Sequence, residues 1–334
     1  MSNQQVIIDN HGRPINYLRL AVTDRCNLRC FYCMPAAGIK YLPQQALLTY
    51  EEMERLIAIL SQLGVNKVRI TGGEPFVRRD LVPFLWRISE MEGIDEISIT
   101  TNGVLTAKYL DELKAMGIKS VNLSLDTFDK DRFYAITRRN EFEKVEECFY
   151  KLVESGITTK INAVIMEGKN TDDIIPLAEL SRKYPVAIRY IEEMPFNGDG
   201  SHYPKLVWNH RKIHAVLQNH YGNLEKIPDG PFSTSYNYRV PGYQGSLGII
   251  AAFSRTFCGT CNRIRLTAQG TLKTCLYDNG VLDIKALMRD GASDEALTKA
   301  FTRAFRTRAK DGFEAEKNRR GGTKVSESMS TIGG

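Results

Sequence analysis

Between residue 17 and about residue 192, short runs of alternating apolar and polar residues are separated by longer stretches with apolar residues at helical spacing. The alternating runs predict strands at 17–22, 67–71, 96–100, 120–125, 160–165 and 186–191. The intervening segments TYEEMERLIAILSQLG and NEFEKVEECFYKLVESG predict amphipathic helices closed by glycine, and Thr49 ahead of Glu51 and Glu52 marks a helix start. Six strand-then-helix units predict an α/β fold with a parallel sheet, open or closed into a barrel.

Parallel strands covered on both faces usually read as unbroken apolar runs. These do not. Leu18, Leu20 and Val22 share one face and Arg19 takes the other. Val68 and Ile70 alternate with Lys67, Arg69 and Thr71, and Ile97 and Ile99 with Ser98 and Thr100. Val121, Leu123 and Leu125 alternate with Asn122, Ser124 and Asp126, and Ile161 and Ile165 with Lys160 and Asn162. The helices should therefore cover an apolar outer face, leaving a polar, partly cationic inner face fit for an anionic ligand. An antiparallel sheet with one wet face is the alternative, which the intervening helices disfavour.

After Pro195 the texture becomes loop-like, with a helix expected around 213–219 and Gly/Pro/Ser-rich hairpin signals from 228 to about 273. These shifts divide the chain into residues 1–195 and a smaller α+β part, residues 196–334. At 43% hydrophobic and 25% charged the composition is that of a globular protein. No apolar run reaches membrane-spanning length, and the polar N-terminus has no signal-peptide core, so a cytoplasmic location is expected. A net charge of +6 suits a small anionic substrate and is too small to demand nucleic acid. From residue 301 onward eight Lys/Arg oppose four Asp/Glu, which on charge patterning alone reads as a solvated tail.

Seven cysteines change the picture. In such a chain they point to metal or catalysis rather than disulfides. Cys26, Cys30 and Cys33 form a C-x3-C-x2-C loop just after the first strand, at the end where α/β barrels keep their chemistry. Three thiolates can hold a cubane and leave its fourth iron open to a chelating molecule. Cys258, Cys261 and Cys275 form a second triplet, with Arg263 and Arg265 just after its first pair. Structural zinc is the alternative for both, but each triplet is one ligand short and no histidine stands beside either. Cys148 lies in a helical apolar stripe and is expected to be a buried core thiol. Thr71-Gly72-Gly73-Glu74-Pro75, ending the second strand, offers backbone that a ligand's amino group could approach.

Together these residues resemble the radical S-adenosylmethionine superfamily: the cysteine loop with Tyr32 before its last member is that superfamily's signature, and Gly72–Pro75 resembles its methionine-binding motif. The second triplet, the runs CNLRCFYCMP and CNRIRLTAQGTLKTCL, and Gly333-Gly334 after MSTI narrow the resemblance to the molybdenum cofactor biosynthesis protein A family, across nearly the whole chain. One position departs: Glu193 precedes Met194-Pro195 where that family often has an aromatic residue.

The resemblance implies a partial (βα)6 TIM-like barrel and two [4Fe-4S] clusters, held by Cys26, Cys30 and Cys33 and by Cys258, Cys261 and Cys275. It implies S-adenosyl-L-methionine contacts from Tyr32, Gly73, Ser124 and Met194, and GTP contacts from Arg19, Arg69, Thr100, Lys160, Arg189, Arg263, Ile264 and Arg265. Arg263, Arg265, Gly333 and Gly334 would serve catalysis, the two glycines by reaching into the active site; a residue added after Gly334 should then lower activity with both clusters intact. The implied reaction takes hydrogen from C3′ of GTP, joins C3′ to C8 and gives 3′,8-cyclo-7,8-dihydro-GTP. A flavodoxin or ferredoxin donor, a homodimer and hand-off to the enzyme forming cyclic pyranopterin are further implied. The rival readings are a peptide-modifying enzyme of the same superfamily and a zinc-stabilised nucleic-acid module; no basic stripe favours the latter.

Overall fold

The computed structural model describes residues 6–198, 205–319, 325 and 327–333. The strands are β1 (Tyr17–Ala21), β2 (Lys67–Thr71), β3 (Glu96–Thr101), β4 (Ser120–Ser124), β5 (Thr158–Ile165), β6 (Ala187–Glu192), β7 (Glu225–Lys226), β8 (Ser235–Arg239), β9 (Ser246–Ile250), β10 (Arg263–Leu266), β11 (Thr271–Lys273) and β12 (Leu282–Asp283). The helices are α1 (Tyr50–Gln62), α2 (Leu81–Ser89), α3 (Leu110–Ala115), α4 (Lys130–Thr137), α5 (Phe142–Ser155), α6 (Ile174–Lys183), α7 (His210–Tyr221), α8 (Ile284–Arg289), α9 (Asp294–Phe305), α10 (Gly312–Lys317) and α11 (Met329–Ile332).

All six expected strands form, within two residues of the expected ends, and pair in parallel from β1 through β6. Local signals explain the helices between them. Thr49 caps α1 by accepting from the Glu52 amide, while Glu52 reaches back to the Thr49 amide at 2.8 Å, a reciprocal pair worth about 1 kcal/mol. Gly156, at φ 74°, ends α5. Leu18, Leu20, Val68, Ile70, Ile99, Val121, Leu123 and Ile161 are buried in one core with helix residues such as Leu56, Leu60, Phe149 and Leu152. Cys148 is fully buried there, as expected.

The C-terminal residues do more to the sheet than the hairpin signals suggest. β10 pairs in parallel with β1, and β9 in parallel with β6. The antiparallel partners β11–β12 and β8–β7 continue outward on either side. The result is one twelve-stranded sheet, in the order β12-β11-β10-β1-β2-β3-β4-β5-β6-β9-β8-β7, whose edges are not hydrogen-bonded to each other. It is a partial rather than a closed barrel. Among the described residues, no helix is long and apolar enough to cross a membrane.

Candidate active site

The first cysteine loop leaves the C-terminal end of β1 and docks on the end of α4. Amides of Arg29 and Phe31 donate to carbonyls of Thr137 and Ile136 at 2.9 and 3.1 Å. Arg29 Nη1 donates to the Cys26 and Leu28 carbonyls, and Arg138 Nη1 to those of Arg29 and Met34. The backbone is thus pinned while all three thiols line a cavity of about 420 Å³. Tyr32 donates its hydroxyl to Asp126 at 2.8 Å, beyond the end of β4, and burial pushes the Asp126 carboxyl up to about 6.

The glycines of the β2 turn meet protein before they meet any ligand. The Gly73 and Glu74 amides donate to the Thr23 and Arg25 carbonyls at 2.9 and 2.8 Å. A Cβ on Gly73 would sit 2.2 Å from the Arg25 oxygen, and one on Gly72 2.6 Å from that of Thr23. Glycine is required so that this turn can lie against the cysteine loop; both glycines also line the cavity. Glu74 points the other way, fully buried, and accepts from the amides of Phe76 and Asn102 and from the Thr101 hydroxyl. Burial raises it to about 7. Asn102 lies 3.7 Å from the Cys26 sulfur, so the motif ties β2, β3 and the first triplet together.

Alternation along the strands turns into a row of cations across the sheet. Lys273, Arg265, Arg19 and Arg69 are successive partners on β11, β10, β1 and β2. Neighbouring strands lie about 4.8 Å apart, so these like charges are crowded. Burial, Arg265 and Arg69 together drive the Arg19 guanidinium well below its ordinary value. Burial likewise lowers Arg189 and Arg265 to about 10, and Lys160 to about 8 with help from Arg189 and Arg69. Arg19 Nε, Arg189 Nε and Arg263 Nη2 are buried without a protein partner among the described residues. Among the described residues nine Lys/Arg line the cavity against two carboxylates, both engaged, Asp126 by Tyr32 and Glu192 by Ser254 and His210, while Lys67, Arg255 and Lys273 are paired with Glu96, Glu316 and Glu327 from outside it. A buried field of that sign requires an anion.

The second triplet faces the same cavity. Cys258 and Cys261 occupy a turn ahead of β10, and Cys275 follows β11, where the Thr274 and Cys275 amides both donate to Asp278. One buried side chain, Arg308, binds the Thr274, Cys261 and Arg263 carbonyls and places Nη2 3.2 Å from the Cys261 sulfur. Arg13 holds the Cys258 carbonyl at 3.1 Å, and Asp9 links Arg13 to Arg308. Arg255 is stacked between Tyr277 and Phe313 and paired with Glu316. The expectation of a solvated basic tail therefore fails at Arg308 and Arg319, both buried, because backbone carbonyls and a carboxylate replace water around them.

The C-terminal segment also enters the site. Ser328 donates to the Cys33 carbonyl at 2.7 Å, Met329 and Ser330 line the cavity, and Arg265 donates to the Gly333 carbonyl. Gly333 packs so closely on Thr71 that a Cβ would approach its hydroxyl to 2.5 Å. Gly334 lies outside the described residues.

The cavity brings together all six expected cysteines, with Tyr32, Gly73, Ser124, Met194, Arg19, Arg69, Thr100, Lys160, Arg189, Arg263 and Arg265. Ile264 is the correction. Strand alternation sends its side chain into the apolar core, opposite to Arg263 and Arg265, so it cannot offer a side chain to a substrate. Lys67 and Asn162, expected on the polar inner face but not named as contacts, line the cavity too, and Tyr17 and Lys273 line it without having been expected to, although Tyr17 shares the period of Arg19.

The chemistry of the six thiols fits metal-bound thiolates in both triplets. Burial raises Cys26 and Cys275 to about 12, Cys33 to about 11, and Cys30 and Cys258 as well. For Cys261, Arg263 and Arg308 outweigh burial and hold the thiol at about 6. Thiolates so buried need a bound cation to balance them. Among the described residues no group of three His, Cys, Asp or Glu side chains is arranged around one point.

Comparisons with known proteins agree with this arrangement. Residues 20–181 match the family model of the radical SAM superfamily, and residues 186–313 the model described as Molybdenum Cofactor Synthesis C. The chain is 42% identical over 307 residues to the GTP 3′,8-cyclase of Syntrophomonas wolfei, covering 90% of this chain and 93% of that one. It is 40% identical to molybdenum cofactor biosynthesis protein 1 of Drosophila melanogaster over 92% of its own length but 55% of that protein, so it spans about half of such relatives. In fold it is similar to the crystal structure of Streptococcus suis SuiB bound to S-adenosylmethionine, at TM-score 0.59 and 17% identity, covering 81% of this chain and 63% of that chain.

Proposed function

The chain belongs to the GTP 3′,8-cyclase family of radical S-adenosylmethionine proteins, and on that premise we propose that it converts GTP to 3′,8-cyclo-7,8-dihydro-GTP, the first step of molybdenum cofactor biosynthesis. The observation that carries the proposal is one cavity lined by two cysteine triplets with a buried row of unneutralised arginines between β10 and β2.

Cys26, Cys30 and Cys33 would hold the first [4Fe-4S] cluster, with S-adenosyl-L-methionine beside Tyr32, Gly73, Ser124 and Met194. Cys258, Cys261 and Cys275 would hold a second cluster with one iron left for the guanine. Once held by these residues, the first cluster and S-adenosyl-L-methionine would supply one-electron reductive radical chemistry for hydrogen removal from the ribose.

The protein's own residues do the rest by placement. Arg19, Arg69, Lys160 and Arg189 receive the triphosphate, since guanidinium forks meet phosphate oxygens with paired donors and the cavity supplies almost no competing carboxylate. Thr100 and Ser124 also line the cavity and would bound the ribose. Arg265, which lines the cavity, is joined to Gly333, so the C-terminal segment would help to limit water entry. Holding the ribose between two anchored ends converts the hydrogen transfer into an effectively intramolecular step.

The division into two units near residue 195 rests on the change of sequence texture there, and the cytoplasmic location on the polar N-terminus and the short apolar runs; a flavodoxin or ferredoxin as electron donor, a homodimer, and hand-off to the enzyme forming cyclic pyranopterin rest on the resemblance. The anaerobic protein, given reductant, S-adenosyl-L-methionine and GTP, should form 5′-deoxyadenosine and the cyclised nucleotide together. Equal 5′-deoxyadenosine formation with GTP left out would overturn the assignment.

A further inference from the structure

Glu327 stands six residues before Gly333 and bridges two buried cations. Both of its carboxylate oxygens accept from Lys273 Nζ at 2.9 Å, and Arg319 Nη1 lies 3.4 Å away. The Lys273 and Arg319 side chains are 1% and 3% exposed, whereas Glu327 keeps 29%. Lys273 has a strategic position. It is the partner of Arg265 across β10 and β11, and so the outermost member of the cation row. Arg319 in turn donates to the carbonyls of Tyr277 and Asp278, just beyond Cys275.

The residues after Glu327 run on from this anchor into the site. Ser328 binds the Cys33 carbonyl, the Met329 amide donates to Phe196, and Gly333 accepts from Arg265. Among the described residues from 325 to 333, Glu327 is the one with an ionisable side chain. The tail therefore touches both cysteine segments and the cation row, and the one ionisable side chain among its described residues sits beside the row's outer lysine.

We propose that Glu327 is a positioning residue with two linked effects: it latches the C-terminal tail so that Gly333 stays on Arg265, and it neutralises Lys273 so that this end of the cation row does not add to the pull on the triphosphate. Neither effect is served by a nonspecific packing role. Loss of the carboxylate should loosen the tail and at the same time free a buried ammonium beside Arg265. An anionic substrate then binds more tightly while turnover slows. Simple loss of folded structure would weaken binding instead.

The test uses the full-length, cluster-loaded protein carrying Glu327→Gln. Hydrogen exchange is read at the amides of 329–333, where Gly333 donates to the Met329 carbonyl, and in α5 as an internal control. Tail exchange should rise at least tenfold with α5 unchanged, and kcat and KM for GTP should both fall. Adding Lys273→Met to Glu327→Gln should return KM to the wild-type value while the tail stays loose, separating the charge effect from the tether. Wild-type tail exchange in Glu327→Gln, or a rise in KM accompanied by faster exchange in α5, would overturn the proposal. The kinetic arm rests on the GTP assignment, but the exchange arm does not: if the wild-type protein did not turn over GTP, tail exchange alone would still decide the latch.

Discussion

Replacing Arg19 with Met keeps the aliphatic stem and removes the charge at the centre of the cation row. Arg19 is flanked in register by Arg265 and Arg69, and its Nε has no protein partner among the described residues. At the inter-strand spacing of about 4.8 Å and an effective dielectric of 20, each like-charged neighbour costs about 3 kcal/mol. Splayed guanidinium heads and counter-ions reduce this, so relief of roughly 1–2 kcal/mol is expected in the empty protein, on the order of 2 °C in Tm. Charge-assisted hydrogen bonds to phosphate contribute about 1.5–3 kcal/mol each, so GTP should bind about 10- to 150-fold more weakly. Thermal melts of the nucleotide-free protein and equilibrium dialysis with GTP measure the two quantities side by side. A variant that melts earlier than wild type yet binds GTP unchanged would refute the reasoning, because Arg19 would then be structural rather than substrate-directed.

Lys160 gives a pH dependence of defined sign. Burial, Arg189 and Arg69 lower it from 10.5 to about 8 in the folded protein, so between about pH 8 and 10.5 the unfolded chain holds the extra proton and stability rises with pH. GTP affinity should fall across the same window, and calorimetry in buffers of differing ionisation enthalpy should show proton uptake on binding; Lys160→Met should abolish both slopes, and their persistence would exclude Lys160. Gly73→Ala drives a methyl to 2.2 Å from the Arg25 carbonyl oxygen and must push the β2 turn off the cysteine loop. Urea unfolding should show a loss of about 2–3 kcal/mol, with S-adenosyl-L-methionine binding abolished in dialysis; wild-type values for both would show that the loops separate freely.

The inner face of the sheet was legible because its alternation is local: Arg19, Arg69 and Lys160 declare themselves against Leu18, Val68 and Ile161 within a few residues. The cysteine triplets were legible as spacings. What escaped was chemistry assembled from distant segments. Arg13, near one end of the chain, and Arg308, near the other, meet at the second triplet, and no local pattern distinguishes them from surface arginines. RIRL and SLGII look like hairpin strands, as their antiparallel pairings with β11 and β8 bear out, but their parallel pairings with β1 and β6 join residues far apart in sequence. Charge density near the C-terminus suggested solvent because it counts cations without seeing the carbonyls that Arg308 and Arg319 satisfy. The glycines of the β2 turn were found, but their first physical reason, contact with Thr23 and Arg25, is visible only in three dimensions.

Iron and acid-labile sulfide analysis of anaerobically reconstituted protein, paired with variants lacking one triplet, tests the two-cluster site most directly. About eight irons per wild-type chain, falling to about four when Cys26, Cys30 and Cys33 or when Cys258, Cys261 and Cys275 are replaced by Ser, is the expected result. Zinc at either triplet, or four irons in wild type that survive loss of the second triplet, would contradict it.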